Sequence, residues 1–309
     1  MNSKSILLTL LLLGAGAIAL RAEAPETQPG QSGDHVPDGK GIGTAGNHGP
    51  AGQAAPGAGK NGNGIFYHGG PLMLGAPMIY YIWYGNWAGN TAPAILEDLA
   101  ANLGGSPYYG INTTYYDGAN NHVSNAAAFG GSAYDNYSRG TALTDADIRT
   151  IVDTAINSNA LPFDDNAVYF VLTSADVNET SGFCTSYCGW HTHGAVNGIN
   201  VKYSFVGNPE RCPSACEAQS ASSPNGNPGA DGMASIIAHE FEESASDPDL
   251  NAWYNRRGQE NADMCAWTFG TTQTGSDGSK YNMTLGTKNY LIQRNWVNAG
   301  GGYCALKYP

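Results

Sequence analysis

One stretch of the chain gathers residues able to do chemistry: Asp231-Gly-Met-Ala-Ser-Ile-Ile-Ala-His-Glu-Phe-Glu-Glu-Ser-Ala-Ser-Asp-Pro248. It reads as one helix, N-capped by Asp231 and closed by Pro248. At about 100° per residue, Met233, Ile237, Phe241 and Ser244 form an apolar stripe. Ile236, His239, Glu240, Glu243 and Asp247 fall on the adjacent sector, and Glu242 is expected to face water. Glu240 with Glu243, and Glu243 with Asp247, are like-charge neighbours that repel. No Lys or Arg occurs between Arg211 and Arg256. The repulsion must be offset by solvent, a distant cation, proton uptake or a bound metal ion. His239 and Glu243, at i and i+4, could share a metal, with Glu240 beside it as general base. The pattern is that of the zinc peptidase helix His-Glu-x-x-His with Glu for the second His. A carboxylate ligand is harder than imidazole and adds negative charge, which weakens the metal as a Lewis acid. Zn2+ is the first expectation from the peptidase pattern, and the carboxylate widens the choice towards Ca2+ or Mn2+. The bland reading is a polar flank of a surface helix.

Further ligands are available nearby in sequence. Glu260 and Asp263, in Glu260-Asn-Ala-Asp-Met-Cys265, follow the helix end closely enough for either to supply a third ligand. His191 and His193, in Cys188-Gly-Trp-His-Thr-His193, share a face if the chain is extended there, and could grip a metal. A turn stapled by Cys188 with both rings outside is the alternative, and it is preferred for His193.

These residues need a scaffold, and the pattern supplies one. Met78–Tyr84 and Ala167–Thr173 read as buried strands, Ile199–Val206 as an alternating strand, and Tyr108–Tyr116 as a Tyr/Thr-rich strand. Residues 91–103 read as a helix with Pro in its first turn. Thr144 N-caps a second helix whose inner face carries Ile148, Ile151, Val152 and Ile156. Residues 118–140 read as turns, and Tyr281 to Lys307 as short strands. The expectation is a single α/β domain, a mixed sheet with packed helices, zincin-like in the role of the His239 helix, over residues 65–309. About 245 residues are enough for one large core.

Residues 1–24 read as a secretory signal: Lys4, an apolar run from Ile6 to Leu20, and Ala22-Glu23-Ala24 as a small-x-small cleavage site. The run is short for a membrane span of about 20 residues, so no membrane association is expected after cleavage. Residues 25–64, rich in Gly and Pro, read as a disordered linker, with His35 and His48 solvated. Six cysteines follow: Cys184, Cys188, Cys212, Cys216, Cys265 and Cys304. An even count in an exported chain implies disulfides. Cys184 with Cys188 and Cys212 with Cys216 could close local loops, leaving Cys265 with Cys304; crossed pairing of the first two sets is equally allowed. Charged residues are only 13% of the chain, and the formal charge is −12. Removing residues 1–24 changes 14 basic against 26 acidic groups to 12 against 25, or −13. Such a chain is a poor partner for nucleic acid or anionic lipid.

Taken together in order, these landmarks resemble the Exordium, or phosphate-induced protein, family of secreted plant proteins and microbial relatives. They are Tyr67-His-Gly-Gly-Pro-Leu72, Ile82-Trp-Tyr-Gly85, Phe183-Cys184 with Cys188-Gly189 and His191, and Val206-Gly-Asn208 before Cys212-Pro213 and Cys216. Asp231-Gly-Met233, Ala238-His-Glu-x-x-Glu243, Asp247-Pro248, Asn251-Ala-Trp-Tyr254 and Glu260-x-x-Asp263-x-Cys265 complete the set, spanning about residues 65–304. The resemblance implies an extracellular or cell-wall protein, in plants linked to growth, with no established catalysis; members with the His-Glu-x-x-Glu segment are candidate metallopeptidases. The long Gly/Pro segment and Thr192-His193 depart from the plant pattern. Two functions are expected ahead of a third, weaker one, a purely structural disulfide-rich matrix protein. One is a metal-dependent hydrolase acting on peptide. The other is a non-catalytic factor binding cell-wall glycan or a receptor through exposed aromatics of the 108–116 and 253–254 regions, with a structural metal or none. Asn112, Asn136, Asn178 and Asn282 are N-glycosylation sequons.

Overall fold

The computed structural model describes residues 34–41, 43–45 and 63–309. The expected signal peptide, His48 and most of the expected linker lie outside the described residues. In chain order the elements are β1 (Phe66–Tyr67), β2 (Met78–Tyr84), α1 (Ala92–Leu103), β3 (Ala128–Asp135), β4 (Ala142–Leu143), α2 (Asp145–Asn157), β5 (Ala167–Thr173) and β6 (Asn178–Glu179). Then come β7 (Gly189–Val196), β8 (Ile199–Gly207), α3 (Pro213–Cys216), α4 (Pro228–Ser246) and β9 (Trp253–Tyr254). Three short antiparallel pairs within residues 273–305 close the domain, as the tail pattern predicts.

The central sheet has the order β3-β2-β5-β8-β7. β2 runs parallel to β3 and β5, and β5 runs parallel to β8, while β7 and β8 form an antiparallel hairpin. Every residue of β5 is buried, as expected of an interior parallel strand covered on both faces. The β2–α1–β3 and β3–α2–β5 connections run in opposite directions along the sheet, so with the right-handedness general to such crossovers α1 and α2 fall on opposite faces, α1 packing with α4 and α2 against β5 and β8. α2 starts with the predicted device: Thr144 Oγ1 accepts from Asp147 N, and Asp147 returns the bond to the Thr144 backbone. The fold is the expected mixed α/β domain.

The β7–β8 hairpin turns on Asn197-Gly198, at φ 52° and 81°. A two-residue turn with both residues left-handed matches the twist of its strands, and Asn-Gly is its favoured sequence. α4 packs against β7, β8 and α1. It is buried at nearly every position, so it is a core helix rather than a surface one. Phe241 stacks on Tyr109 with ring centroids 5.1 Å apart, with Phe170 on the sheet behind it.

Several expectations are corrected. α4 begins one turn earlier than predicted, with Asn227 as cap (Oδ1 accepting from Ala230 N at 3.0 Å) and Pro228 at its first position. Asp231 lies in the first turn and accepts from Asn225 instead. Residues Tyr109–Thr114 form a 3-10 helix rather than a strand. In the turn that leads into it, Ser106 Oγ accepts from Tyr109 N at 3.0 Å, a local side-chain bond that competes with the β propensity of Tyr and Thr. Part of the 118–140 stretch is β3, an edge strand in which Gly130 lies against the Tyr80 ring with no room for a Cβ.

The cysteines pair as Cys184–Cys212, Cys188–Cys216 and Cys265–Cys304, so the crossed alternative holds for the first two sets. The two crossed bonds each span 28 residues. On loop-closure entropy each is worth roughly 3–4 kcal/mol. They tie the segment leading into β7 to α3, just ahead of α4. Among the described residues no helix is long and apolar enough to cross a membrane.

Candidate metal centre

α4 carries His239, Glu240 and Glu243 towards β7 and the loop after β9. Burial of the motif is complete: His239 is 0% exposed, His191, Glu240, Glu243 and Glu260 are each 1%, and Asp263 is 6%. Polar groups so deep must be partnered, or the fold loses the full cost of their desolvation.

Two triads meet at Glu243. In the first, His239 Nε2 lies 2.9 Å from Glu243 Oε1 and 3.5 Å from Asp263 Oδ1. Neither approach has hydrogen-bond geometry: His239 Nε2 and Asp263 Oδ1 are both buried without a hydrogen-bond partner. In the second, His191 Nε2 lies 3.1 and 3.2 Å from the two Glu260 oxygens and 3.6 Å from Glu243 Oε2. Within each triad, one donor atom from each residue lies within 4.8 Å of the others. Both oxygens of Glu240 are buried without a partner. Backbone contacts fix the loop: Asp263 N donates to Glu243 Oε1 at 3.0 Å, and Glu260 N to Asp263 Oδ2 at 3.2 Å. Cys265, tied to Cys304, holds the short 3-10 turn that carries Asp263.

The electrostatics follow from burial and crowding. Burial, then the Glu243 charge, pushes the Glu240 and Glu260 carboxyls well above their usual range. Burial, then Asp263, raises Glu243. Burial alone would lower His239, but the Glu243 and Asp263 carboxylates hold it well above an ordinary histidine. Burial lowers His191 to about 4. Among the described residues, the ion pairs these carboxylates make are all with His191 or His239. His191 Nε2 is hydrogen-bonded to Glu260, whereas His239 Nε2, Asp263 Oδ1 and both Glu240 oxygens converge without a hydrogen-bond partner, and such unpartnered nitrogen and oxygen donors are what a divalent cation would bind.

The sequence-predicted residues are therefore brought together with three differences. Glu260 and Asp263 are not rival third ligands: Asp263 stands with His239, and Glu260 with His191. Asp247 turns away and caps the loop, accepting from Asn251 N and Ala252 N, each at 2.6 Å. Burial raises it to about 7. Glu242 does not reach water; it is 0% exposed, and its Oε2 accepts from Asn295 Nδ2. His193 stays outside the cluster, its Nδ1 2.9 Å from Asn200 Oδ1, as expected of its ring, but the stretch is strand β7 and not the expected turn. The signal that would have placed His191 was the Asn197-Gly198 turn, which makes 189–196 a strand.

Part of the expected linker packs beside the site. The Gly39 carbonyl accepts from His191 N at 3.1 Å, and Gly41 abuts the Asp263 carboxylate with no room for a Cβ. Lys40 Nζ bonds Asp145 Oδ2 at 2.7 Å and Ser181 Oγ at 2.9 Å. Asp34 pairs with His68 at 3.2 Å, while His35 is exposed, as expected. Residues 34–41 are thus part of the folded body. They are held by backbone bonds and glycine contacts that hydropathy does not register. The aromatics expected to bind sugar are also largely withdrawn: Tyr108, Tyr109, Tyr115, Trp253 and Tyr254 are buried, and Tyr116 is 37% exposed.

The comparisons with known proteins agree with the landmarks. The family described as "Phosphate-induced protein 1 conserved region" matches residues 65–299. Protein EXORDIUM-like 3 of Arabidopsis thaliana is 31% identical, covering 77% of this chain and 81% of its own. Protein EXORDIUM-like 5 of the same plant is 31% identical over 74% of each chain. Protein PHOSPHATE-INDUCED 1 of Nicotiana tabacum is 28% identical over 61% of this chain and 66% of its own. No solved structure matches.

Proposed function

The chain belongs to the phosphate-induced protein 1, or Exordium, family, and from that premise we propose that it is an exported, non-catalytic factor built around a buried metal ion. His239, Glu243 and Asp263 hold the ion. The observation that carries this reading is the closure of the ligand set, every member being no more than 6% exposed. Structural metal sites are closed, whereas catalytic ones keep a position open to substrate. The three disulfides suit export to an oxidising compartment. Activity then resides in the outer surface, with extracellular or cell-wall glycan, or a receptor, as the partner. The test is elemental analysis of the purified secreted protein, with binding to insoluble cell-wall glycan measured before and after chelation. One or more tightly held ions, no peptide hydrolysis and glycan binding that survives chelation are the expected results. A metal-free protein would sink the metal centre.

A second reading is favoured by Glu240. Its carboxylate has no hydrogen-bond partner and interacts with His239, Glu243 and Asp263. A bound Zn2+ would supply Lewis-acid polarisation there. Glu240 would take a proton from the attacking water, and the protein would be a metallopeptidase-like hydrolase once residues 39–41 move aside. Peptide hydrolysis lost in Glu240→Gln with metal retained would establish this reading over the first; hydrolysis unchanged in that variant would eliminate Glu240 as the base.

A further inference from the structure

We infer that the centre holds two divalent cations bridged by Glu243, an inference that rests on the metal reading above and extends it. The two oxygens of the Glu243 carboxylate face different nitrogens: Oε1 lies 2.9 Å from His239 Nε2 and Oε2 lies 3.6 Å from His191 Nε2. Each nitrogen has its own second carboxylate, Asp263 for His239 and Glu260 for His191. The result is two matched sets of one imidazole and two carboxylates that share a single residue. A carboxylate with an ion on each oxygen is a natural bridge, and paired ions in proteins stand about 3.5–4 Å apart.

Three observations separate this from a hydrogen-bonded polar core. His239 Nε2, Asp263 Oδ1 and both Glu240 oxygens are buried without hydrogen-bond partners, on residues no more than 6% exposed. His191 Nε2 is hydrogen-bonded to Glu260, at 3.1 and 3.2 Å from its two oxygens, and Glu243 Oε2 stands 3.6 Å away; the nitrogen can offer these three oxygens at most one proton. Glu240, Glu243, Glu260 and Asp263 would together carry four negative charges with no Lys or Arg among their ion-pair partners. Fully ionised, as metal ligands are, the four carboxylates match two divalent cations, whereas a single ion would leave half of their charge to be neutralised by bound protons. Imidazole with carboxylate donors selects first-row cations such as Zn2+, Mn2+ or Co2+ over Ca2+, which takes oxygen ligands.

The test uses the full secreted chain, stripped with chelator and titrated with Mn2+ alone. Metal analysis should find two ions per chain. The electron paramagnetic resonance spectrum should be that of an exchange-coupled pair, its hyperfine lines closer together than those of isolated Mn2+. Glu260→Gln and Asp263→Asn, which keep side-chain volume, should each reduce the content to one ion and abolish the coupling. One uncoupled ion in the unmodified chain, lost in Asp263→Asn and kept in Glu260→Gln, overturns the pair and leaves the single-ion centre standing. No ion bound overturns both readings. The spectrum of the unmodified protein decides between one and two even if a variant fails to fold.

Discussion

Replacing Glu242 tests whether α4 is a core helix on all sides. Its carboxylate is 0% exposed, and Oε2 accepts from the buried Asn295 amide. Burial pushes this carboxyl well above its usual range. In Glu242→Ala the Asn295 Nδ2 loses its acceptor, which costs about 1–3 kcal/mol when the donor stays buried. A void of about 50 Å3 adds about 1 kcal/mol at roughly 24 cal/mol per Å3. Alanine's better helix propensity returns only a few tenths of a kcal/mol. The sum, about 2–4 kcal/mol, lowers the Tm by about 4–16 °C at roughly 2–4 °C per kcal/mol for a domain of this size. Glu242→Gln keeps the shape and the acceptor, and should lie within about 1 kcal/mol of the parent. Thermal melts followed by circular dichroism measure both. An alanine variant within about 0.5 kcal/mol of the parent, the behaviour of an exposed site, would refute the buried placement and restore the amphipathic helix read from the sequence.

Other outcomes are expected of the same protein. If metal is held at about one hundred times its dissociation constant, chelation removes about 2.7 kcal/mol of stability, or about 5–10 °C in Tm; scanning calorimetry with and without chelator would show an unchanged Tm if no ion binds. Burial, then Glu210, raises Glu217 to about 7, and its folded form favours the neutral acid. Its contribution is therefore full below its ordinary value of 4.5 and fades as pH rises through about 7. Urea midpoints across that window should fall less in Glu217→Gln than in the parent, and equal slopes would reject the assignment. Phe241→Ala removes the ring stacked on Tyr109, and should cost about 3–5 kcal/mol; denaturant titration showing a loss below about 1 kcal/mol would contradict that packing.

How much could be read beforehand depends on where the physical signal was local. β2 and β5 are continuous apolar runs, and their limits coincide with the predicted ones. α2 announced itself through Thr144 and its apolar spacing, and the Ala238-His-Glu-x-x-Glu243 helix through charge crowding that had to be answered. What escaped was set by distant partners. Glu242 looked exposed because Asn295, 53 residues on, is invisible to a helical wheel. β3 has two glycines at its centre: the Tyr80 ring leaves no room for a Cβ at Gly130, and Gly131 takes φ 128° where the register against β2 shifts. Tyr109–Thr114 follows a turn in which Ser106 Oγ accepts from Tyr109 N. The division of Glu260 and Asp263 between His191 and His239 needed the hairpin that carries His191, and its Asn197-Gly198 turn was legible but unread.

The irregular passage through residues 34–41 also bears on what kinds of change the chain tolerates. Its hold on the body is made by the Gly39 carbonyl, by the bare Cα of Gly41 and by the reach of Lys40. Besides these, the hold depends on the side chain of Asp34, paired with His68, so composition has most room to drift at the exposed positions 35, 36 and 38. Spacing has no such room, because one inserted or deleted residue between Gly39 and Gly41 would separate contacts to His191 and Asp263 that the present count aligns. A search for related chains that scores residue identity would pass over such a segment, whereas one that scores its register against the histidine strand would find it.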